Sequence, residues 1–259
     1  MKKLLFFDLD GTLTDESTGL IPKDTKEAIK KARMNGHLCF LNSGRPNATI
    51  EKQFKDMMDG VVLGLGTYIE YDGNILYYSE LQQDLCQQIM DLALKCKVEC
   101  FFEGKDGIVL DENCRIEWFK DLDEKYANQG FNVSYYPKND IKFEKFCILQ
   151  DDICNHELFD EFVCQYFRKI DRGNNFYEYE QKGHSKATGI DFLCNYFNTT
   201  LENCYAFGDS TNDLPMLEHV THSVLMGNGP IALRSFVEYV TTNSNENGIG
   251  NALKHYGLL

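Results

Sequence analysis

The chain opens on a run that is apolar at every position, Leu4-Leu5-Phe6-Phe7, and then breaks into carboxylates at Asp8 and Asp10. A short unbroken apolar run bounded by polar residues reads as a strand buried on both faces, the kind found inside a parallel sheet. The pattern then switches to helical over residues 22–35, with Pro22 in the first turn and Gly36 as the stop signal. A second buried strand follows at 37–42. The turn Ser43-Gly44-Arg45 leads into a predicted helix at 46–58, a third strand at 61–65 and a hairpin over 66–78 around Asp72-Gly73.

From residue 81 the simple alternation stops. Helical patterns at 81–97, 112–128 and 156–168 are mixed with strands at 98–102, 108–110, 143–149 and 175–180, and aromatics and cysteines are dense. That order fits an α+β module. Alternation returns with a helix at 185–197, strands at 204–207, 223–226 and 239–241, and helices at 213–218, 231–236 and 249–256. The expected architecture is α/β, a Rossmann-like parallel-sheet core from residues 1–80 and 183–259, interrupted by an α+β cap domain at 81–182.

Composition narrows the functional classes. The chain has 259 residues, 43% of them hydrophobic, enough to bury one large core or two modest ones. Its net charge of −14 argues against a nucleic-acid backbone binder, though a bound cation and a few placed bases still allow an anionic substrate. The ten cysteines include no Cys-x-x-Cys pair, and no histidines stand near them at zinc-ligand spacing. They read as reduced, mostly buried thiols of a cytoplasmic protein. No secretory h-region follows Met1-Lys2-Lys3 and no apolar run reaches membrane length, so no membrane partner is expected. The oligomeric state stays open.

Four constellations carry chemistry. In Phe6-Phe7-Asp8-Leu9-Asp10-Gly11-Thr12-Leu13-Thr14 a buried strand ends in two carboxylates one residue apart, which repel unless a cation lies between them or one is protonated. Ligands gather outside the carboxyl ends of strands in open α/β sheets, and Gly11 permits a sharp turn there. Asn42-Ser43-Gly44-Arg45-Pro46 offers a hydroxyl and backbone N–H groups at a predicted helix start, an anion cradle or an ordinary cap. Lys186 opens the helix Ser185-Lys186-Ala187-Thr188; alone it reads as a surface lysine. Finally, Gly208-Asp209-Ser210-Thr211-Asn212-Asp213 ends another strand with two carboxylates four residues apart. Asp8, Asp10, Asp209 and Asp213 could converge on one hard cation of the Mg²⁺ type, although Asp213 is equally a helix N-terminal acid.

Taken together, these strings resemble the haloacid dehalogenase superfamily. Asp8-Leu9-Asp10-Gly11-Thr12-Leu13 is similar to its first motif, and Ser43, Lys186 and Gly208-Asp209-x-x-x-Asp213 to its second, third and fourth, in order. Met226-Gly227-Asn228-Gly229 and the stretch from Thr242-Asn243 to Gly248 resemble the Cof-like phosphatase branch, which carries a cap where this chain places its middle module. The resemblance implies a phosphatase. Asp8 would be the nucleophile that becomes an aspartyl phosphate, and Asp10 the acid and then the base. Mg²⁺ would be held by Asp8, the backbone carbonyl of Asp10, and Asp209. The Leu9 and Gly44 amides, Ser43, Lys186 and Asn212 would grip the phosphoryl oxygens. Asp213 would orient the metal's water shell, and Arg45 would make a phosphate-side or core–cap contact. The substrate would be a small phosphorylated metabolite, a sugar phosphate or a phosphorylated cofactor. The chain departs from the branch at Leu65-Gly66-Thr67, where Asn-Gly-Ala is common. That substitution removes a polar group expected near the phosphate. The alternatives are a phosphomutase sharing the aspartyl phosphate, and a non-catalytic binding module, against which the retention of Asp8 and Asp10 argues.

Overall fold

The computed structural model describes residues 2–136, 142–150 and 153–259. Its contacts divide the chain into two units. The first takes the chain up to Gly44, Glu51–Tyr77 and Ser185–Leu259, and the second takes Arg45–Ile50 and Tyr78–His184. The first stretch of chain forms β1 (Leu4–Phe7), β2 (Leu38–Asn42), β3 (Gly60–Leu63), β4 (Tyr68–Tyr71) and β5 (Asn74–Tyr78), with helices α1 (Lys23–Met34) and α2 (Lys52–Asp56). The middle stretch forms β6 (Cys100–Glu103), β7 (Ile108–Asp111), β8 (Val133–Tyr136), β9 (Lys145–Leu149), β10 (Phe167–Asp171) and β11 (Phe176–Gln181), with α3 (Gln83–Cys96), α4 (Glu117–Asn128) and α5 (His156–Val163). The last adds β12 (Cys204–Gly208), β13 (His222–Leu225) and β14 (Tyr239–Val240), with α6 (Lys186–Tyr196), α7 (Leu214–His219) and α8 (Gly248–His255).

The first unit is built on one sheet in the order β14-β13-β12-β1-β2-β3-β4-β5. It is parallel from β14 to β3, and β4 runs antiparallel to β3. The chain steps outward from β1 to β2 and β3 on one side, then returns to β12 on the other. The strand order therefore reverses at β1, and ligands in open α/β sheets bind at such a reversal, outside the carboxyl ends of the strands. The central strands are apolar along most of their length because both faces are covered: Leu4, Phe6, Phe40 and Ala206 share a core with Ile190 and Leu193 of α6. Phe7 opposes Phe207 in register and their rings stack 4.5 Å apart, which levels the ends of β1 and β12.

The second unit carries a separate sheet in the order β10-β11-β9-β6-β7-β8, antiparallel except for the β7–β8 pair. Helices α3 and α5 cover one face over a core that includes Phe102, Phe146, Phe159 and Tyr179. On the other face α4 packs on Phe101, Ile108, Leu110 and Cys147. Where the chain enters and leaves this unit, Ser79 and Gln181 are clasped side by side. The Ser79 hydroxyl donates to Gln181 Oε1 at 2.8 Å, and Gln181 Nε2 donates to the Ser79 carbonyl at 3.2 Å. All ten cysteines are free thiols and seven are buried. Among the described residues no helix is long and apolar enough to cross a membrane.

The α/β class and the mixed middle module match the pattern-based expectation, but several elements differ. The helix expected at 46–58 is broken into a 3-10 turn, Asn47–Thr49, and the short α2, because Ile50 and Glu51 are extended (ψ 117° and 140°) where the chain's contacts pass from one unit to the other. The helix expected at 156–168 stops at Val163, and Phe167 begins a strand. The strand Val133–Tyr136 had no counterpart in the pattern. The third strand ends at Leu63 rather than Leu65, since Gly64, Leu65 and Gly66 all have positive φ. Residues 231–236 form a 3-10 helix.

Candidate active site

Asp8 directly follows β1, and its N–H bonds to the Phe207 carbonyl at 3.0 Å, which ties it to the neighbouring strand. Asp209 directly follows β12. Between Asp8 and Thr14 the chain makes one wide turn, Leu9–Leu13, which Gly11 permits by adopting φ +81°. A Cβ at position 11 would lie 2.5 Å from Asp209 Oδ2, so only glycine lets this loop pass the second carboxylate. The loop is held from both sides. Thr12 donates its hydroxyl to Asp209 Oδ1 at 2.8 Å, and Asn228 donates to the Gly11 carbonyl at 2.9 Å while accepting from the Ser244 N–H at 3.0 Å.

Lys186 is the first residue of α6, whose start is fixed by a reciprocal Ser185–Thr188 capping box. Asn42, at the end of β2, donates to the Lys186 carbonyl at 3.0 Å and anchors that turn to the sheet. The lysine is fully buried. Its ammonium donates to Asp8 Oδ1 and, at 2.5 Å, to Asp213 Oδ1. Asp213 in turn accepts at Oδ2 from the Asp209 and Ser210 N–H groups at 2.9 and 3.0 Å. One carboxylate oxygen each from Asp8, Asp209 and Asp213 lie within 4.8 Å of one another, and all three residues are buried.

Crowding of this kind perturbs Asp8, Asp209 and Lys186. Burial pushes the Asp8 carboxyl up to about 8, with Asp213 adding to the rise and Lys186 opposing it. Burial and then Asp213 push Asp209 up to about 7, against the pull of Thr12 and Lys186. Burial lowers the Lys186 ammonium, but Asp213 and Asp8 more than offset that and leave it raised. Three carboxylates thus face one ammonium in a buried space. The donor set is all oxygen, which suits a hard divalent cation, and a cation there would relieve the repulsion that raises Asp8 and Asp209. Asp213 belongs to the cluster by distance, yet both its oxygens are already engaged by Lys186 and two amides. It is better placed to orient its neighbours than to ligate.

The structure therefore brings together Asp8, Asp209, Asp213 and Lys186 of the residues singled out in the sequence. Asp10 is exposed on the turn, and Leu9 is buried beside Asp8. Ser43 is buried one residue past β2, at the same end of the sheet, with its N–H bonded to the Val62 carbonyl at 2.9 Å. No long helix begins after Gly44, so the expected cradle at a helix start is corrected: the broken segment offers no helix dipole there. Asn212 is half-buried and accepts from the Ser210 hydroxyl at 2.6 Å. Arg45 groups with the second unit. Thr12, Asn42 and Asn228 were not assigned roles from sequence. Only the Gly-Asn-Gly turn at 227–229 carried a signal that could have pointed to one of them. Leu65, the departure from the family pattern, has φ +59° and ψ 39°, a left-handed shape that asparagine adopts more readily than leucine. The backbone shape is kept while the polar side chain is lost.

A family model described as haloacid dehalogenase-like hydrolase matches residues 5–253. YkrA of Bacillus subtilis (strain 168), a protein designated a phosphatase, is 26% identical over 261 residues, covering 99% of this chain and 98% of that protein. The 5-amino-6-(5-phospho-D-ribitylamino)uracil phosphatase YitU of the same organism is 26% identical over 271 residues, 98% of this chain and 97% of its own. Among solved structures, the subclass IIB sugar phosphatase BT4131 superposes with a TM-score of 0.81 at 27% identity, covering the whole of both chains.

Proposed function

This chain belongs to the haloacid dehalogenase-like hydrolase family, and from that premise we propose that it hydrolyses a small phosphate monoester, a sugar phosphate or a phosphorylated cofactor, through a phosphoryl group carried on Asp8. Its relatives are phosphatases, so the enzyme class is phosphoric monoester hydrolase. The observation that carries the mechanism is the buried ammonium of Lys186 shared between Asp8 and Asp213, with Asp209 alongside.

In the first half-reaction an Asp8 oxygen attacks phosphorus in line, the ester P–O bond breaks, and Asp10 gives a proton to the departing alkoxide. In the second, Asp10 takes a proton from water, the hydroxyl adds to the same phosphorus, and phosphate leaves with Asp8 restored as a carboxylate. Asp10 is suited to both steps because it is exposed on the turn while Asp8 is buried. Lys186 fixes the Asp8 carboxylate through Oδ1 and supplies positive charge that opposes its protonation. The Leu9 and Gly44 amides, Ser43 and Asn212 are the proposed donors to the phosphoryl oxygens. Mg²⁺, held by Asp8, Asp209 and the Asp10 carbonyl, would offset charge between carboxylate and phosphate. Asp213 positions Lys186 and the Asp209 amide. The inserted α+β unit contributes none of the four motifs, and in this reading it sets substrate choice.

The test is phosphate release from a panel of phosphorylated metabolites, with Mg²⁺ and with chelator, for the wild type and Asp8→Asn. Release should need the metal and fall by orders of magnitude in the variant. Near-normal turnover in Asp8→Asn would refute covalent catalysis.

A further inference from the structure

The second unit holds a cavity of about 220 Å³ whose lining residues have no part in the chemical steps proposed above. It lies between α4 and the sheet face turned away from α3 and α5. Side chains two apart on a strand share a face, and three adjacent strands each contribute such a pair: Phe101 and Glu103 from β6, Lys145 and Cys147 from β9, and Phe176 and Glu178 from β11. Helix α4 closes the space with Trp118, Phe119 and Tyr126 among others. The walls are largely aromatic, with Trp118 edge-on to Phe176 at 5.0 Å and Phe101 tilted against Phe119 at 5.6 Å. The charged groups are confined to the floor.

Those charges are unequally satisfied. Lys145, itself buried, gives its close bond to Glu178, which also accepts from Arg172 at 2.6 and 2.9 Å. Glu103 is buried as well, yet its nearest partners are the Lys145 ammonium at 3.6 Å and the Cys147 thiol at 3.7 Å. Neither is a strong hydrogen bond, and a carboxylate has about four acceptor positions. The cavity thus pairs flat apolar walls with a buried acceptor that has capacity left.

We propose that this cavity binds a planar nitrogen heterocycle bearing an amino group, its ring between the aromatic walls and its N–H donating to Glu103. The volume suits a single ring rather than a drug-sized ligand, which needs roughly 300 Å³ or more. A sugar fits poorly because hydroxyls all round its rim would press unpaired against Phe101, Phe119 and Phe176. An ammonium ion would meet the Lys145 charge at close range. A neutral ring with one N–H edge avoids both penalties. The proposal does not rest on the proposed hydrolysis, and its binding test does not depend on activity.

Trp118 is the only tryptophan in the chain, and it lines the cavity half-exposed, so emission from the intact protein reports occupancy directly. The probes are 4-aminopyrimidine, unsubstituted pyrimidine and 4-(dimethylamino)pyrimidine, the last keeping the ring while losing the amino N–H. The expected result is a saturable change in Trp118 emission with 4-aminopyrimidine and at least about tenfold weaker binding of the other two, the size of a lost hydrogen bond to a charged group. Glu103→Gln, near-isosteric, should weaken 4-aminopyrimidine by about tenfold and draw its affinity toward that of pyrimidine. No saturable change by about 10 mM, a level at which a well-bound single ring is detected, would overturn the proposal. So would equal binding of the three probes to the wild type, a comparison that needs no variant to fold. A hydrolysis assay separates the two sources of such a ring. Competitive inhibition by 4-aminopyrimidine marks the cavity as taking the organic part of the substrate, and a changed kcat marks a separate effector.

Discussion

Replacing Lys186 with methionine keeps a long unbranched side chain and removes one charge. In the wild type the ammonium is fully buried and bonded to Asp8 and Asp213, with Asp209 part of the same cluster. Breaking a buried ion cluster by deleting one partner costs about 3–5 kcal/mol, because the remaining charges stay desolvated and uncompensated. At about 2–4 °C per kcal/mol for a unit of this size, melting in chelator should fall by roughly 10 °C or more at alkaline pH, where the carboxyls are ionised. The pH dependence has a definite sign. Asp8 and Asp209 sit at about 8 and about 7, above the ordinary 3.8, so their contribution is fully present below that value and is lost as pH rises through 7 and 8. Without Lys186 both carboxyls move further up. The deficit of Lys186→Met should therefore be small near pH 5 and widen toward pH 9. Mg²⁺ should recover more of the variant's deficit than it adds to the wild type, since the variant's carboxylates lack their counter-charge. The assay is thermal unfolding across that range, in chelator and in excess Mg²⁺, with turnover measured in parallel and expected to fall about 10²–10³-fold. A deficit of the same size from pH 5 to pH 9 would show that Lys186 contributes by packing, and the electrostatic reasoning would fail.

Three further outcomes are expected. With a nitrophenyl ester, whose leaving group needs little protonation, Asp10→Asn should slow breakdown of the phosphorylated enzyme more than its formation; rapid-quench trapping that shows equal slowing would point to a structural role. Gly11→Ala forces a Cβ to 2.5 Å from Asp209 Oδ2 at φ +81°, so it should cost about 2 kcal/mol and raise the Mg²⁺ concentration for half-maximal activity about tenfold; an unchanged metal requirement would show that Asp209 is not displaced. In the second unit, burial raises the Glu178 carboxyl but Lys145 and Arg172 more than offset it, holding it at about 2 rather than 4.5. Its stabilisation, about 3 kcal/mol, is present above pH 4.5 and lost as pH falls toward 2. Urea melts followed by Trp118 emission should show that loss in the wild type and a flatter profile in Glu178→Gln.

The carboxylate-bearing end of the parallel sheet was legible because its signals are local. A continuous apolar run that stops at a carboxylate fixes both a strand and the side chain at its carboxyl end, and this placed Asp8 and Asp209 correctly. Lys186 was legible only by resemblance, since nothing in a lone lysine at a helix start predicts that two carboxylates will bury it. The errors also have local causes. Phe159, Val163 and Phe167 follow one another at intervals of four, the mark of a helical stripe, yet Phe167 reaches the same core from a strand after a turn at 164–166. Residues 46–58 carried a helix pattern without a signal for the extended pair Ile50 and Glu51. Thr12, Asn42 and Asn228 went unassigned because their partners, Asp209, the Lys186 carbonyl and the Gly11 carbonyl, lie 144 to 217 residues away in the chain. Periodicity has no reach over that distance.

The clasp between Ser79 and Gln181 changes what kind of object the inserted unit is. Two residues 102 apart are held by a pair of hydrogen bonds, so the hundred residues between them form a bight in the chain whose throat is tied shut. For the first unit, such an insertion costs little more than a short loop, because the entropy of bringing its ends together grows only with the logarithm of length and is met inside the insertion itself. The throat therefore works like a socket of fixed gauge. Segments of very different size and shape could be exchanged there over evolutionary time, each bringing its own closure, while the strands that carry Asp8 and Asp209 keep their register.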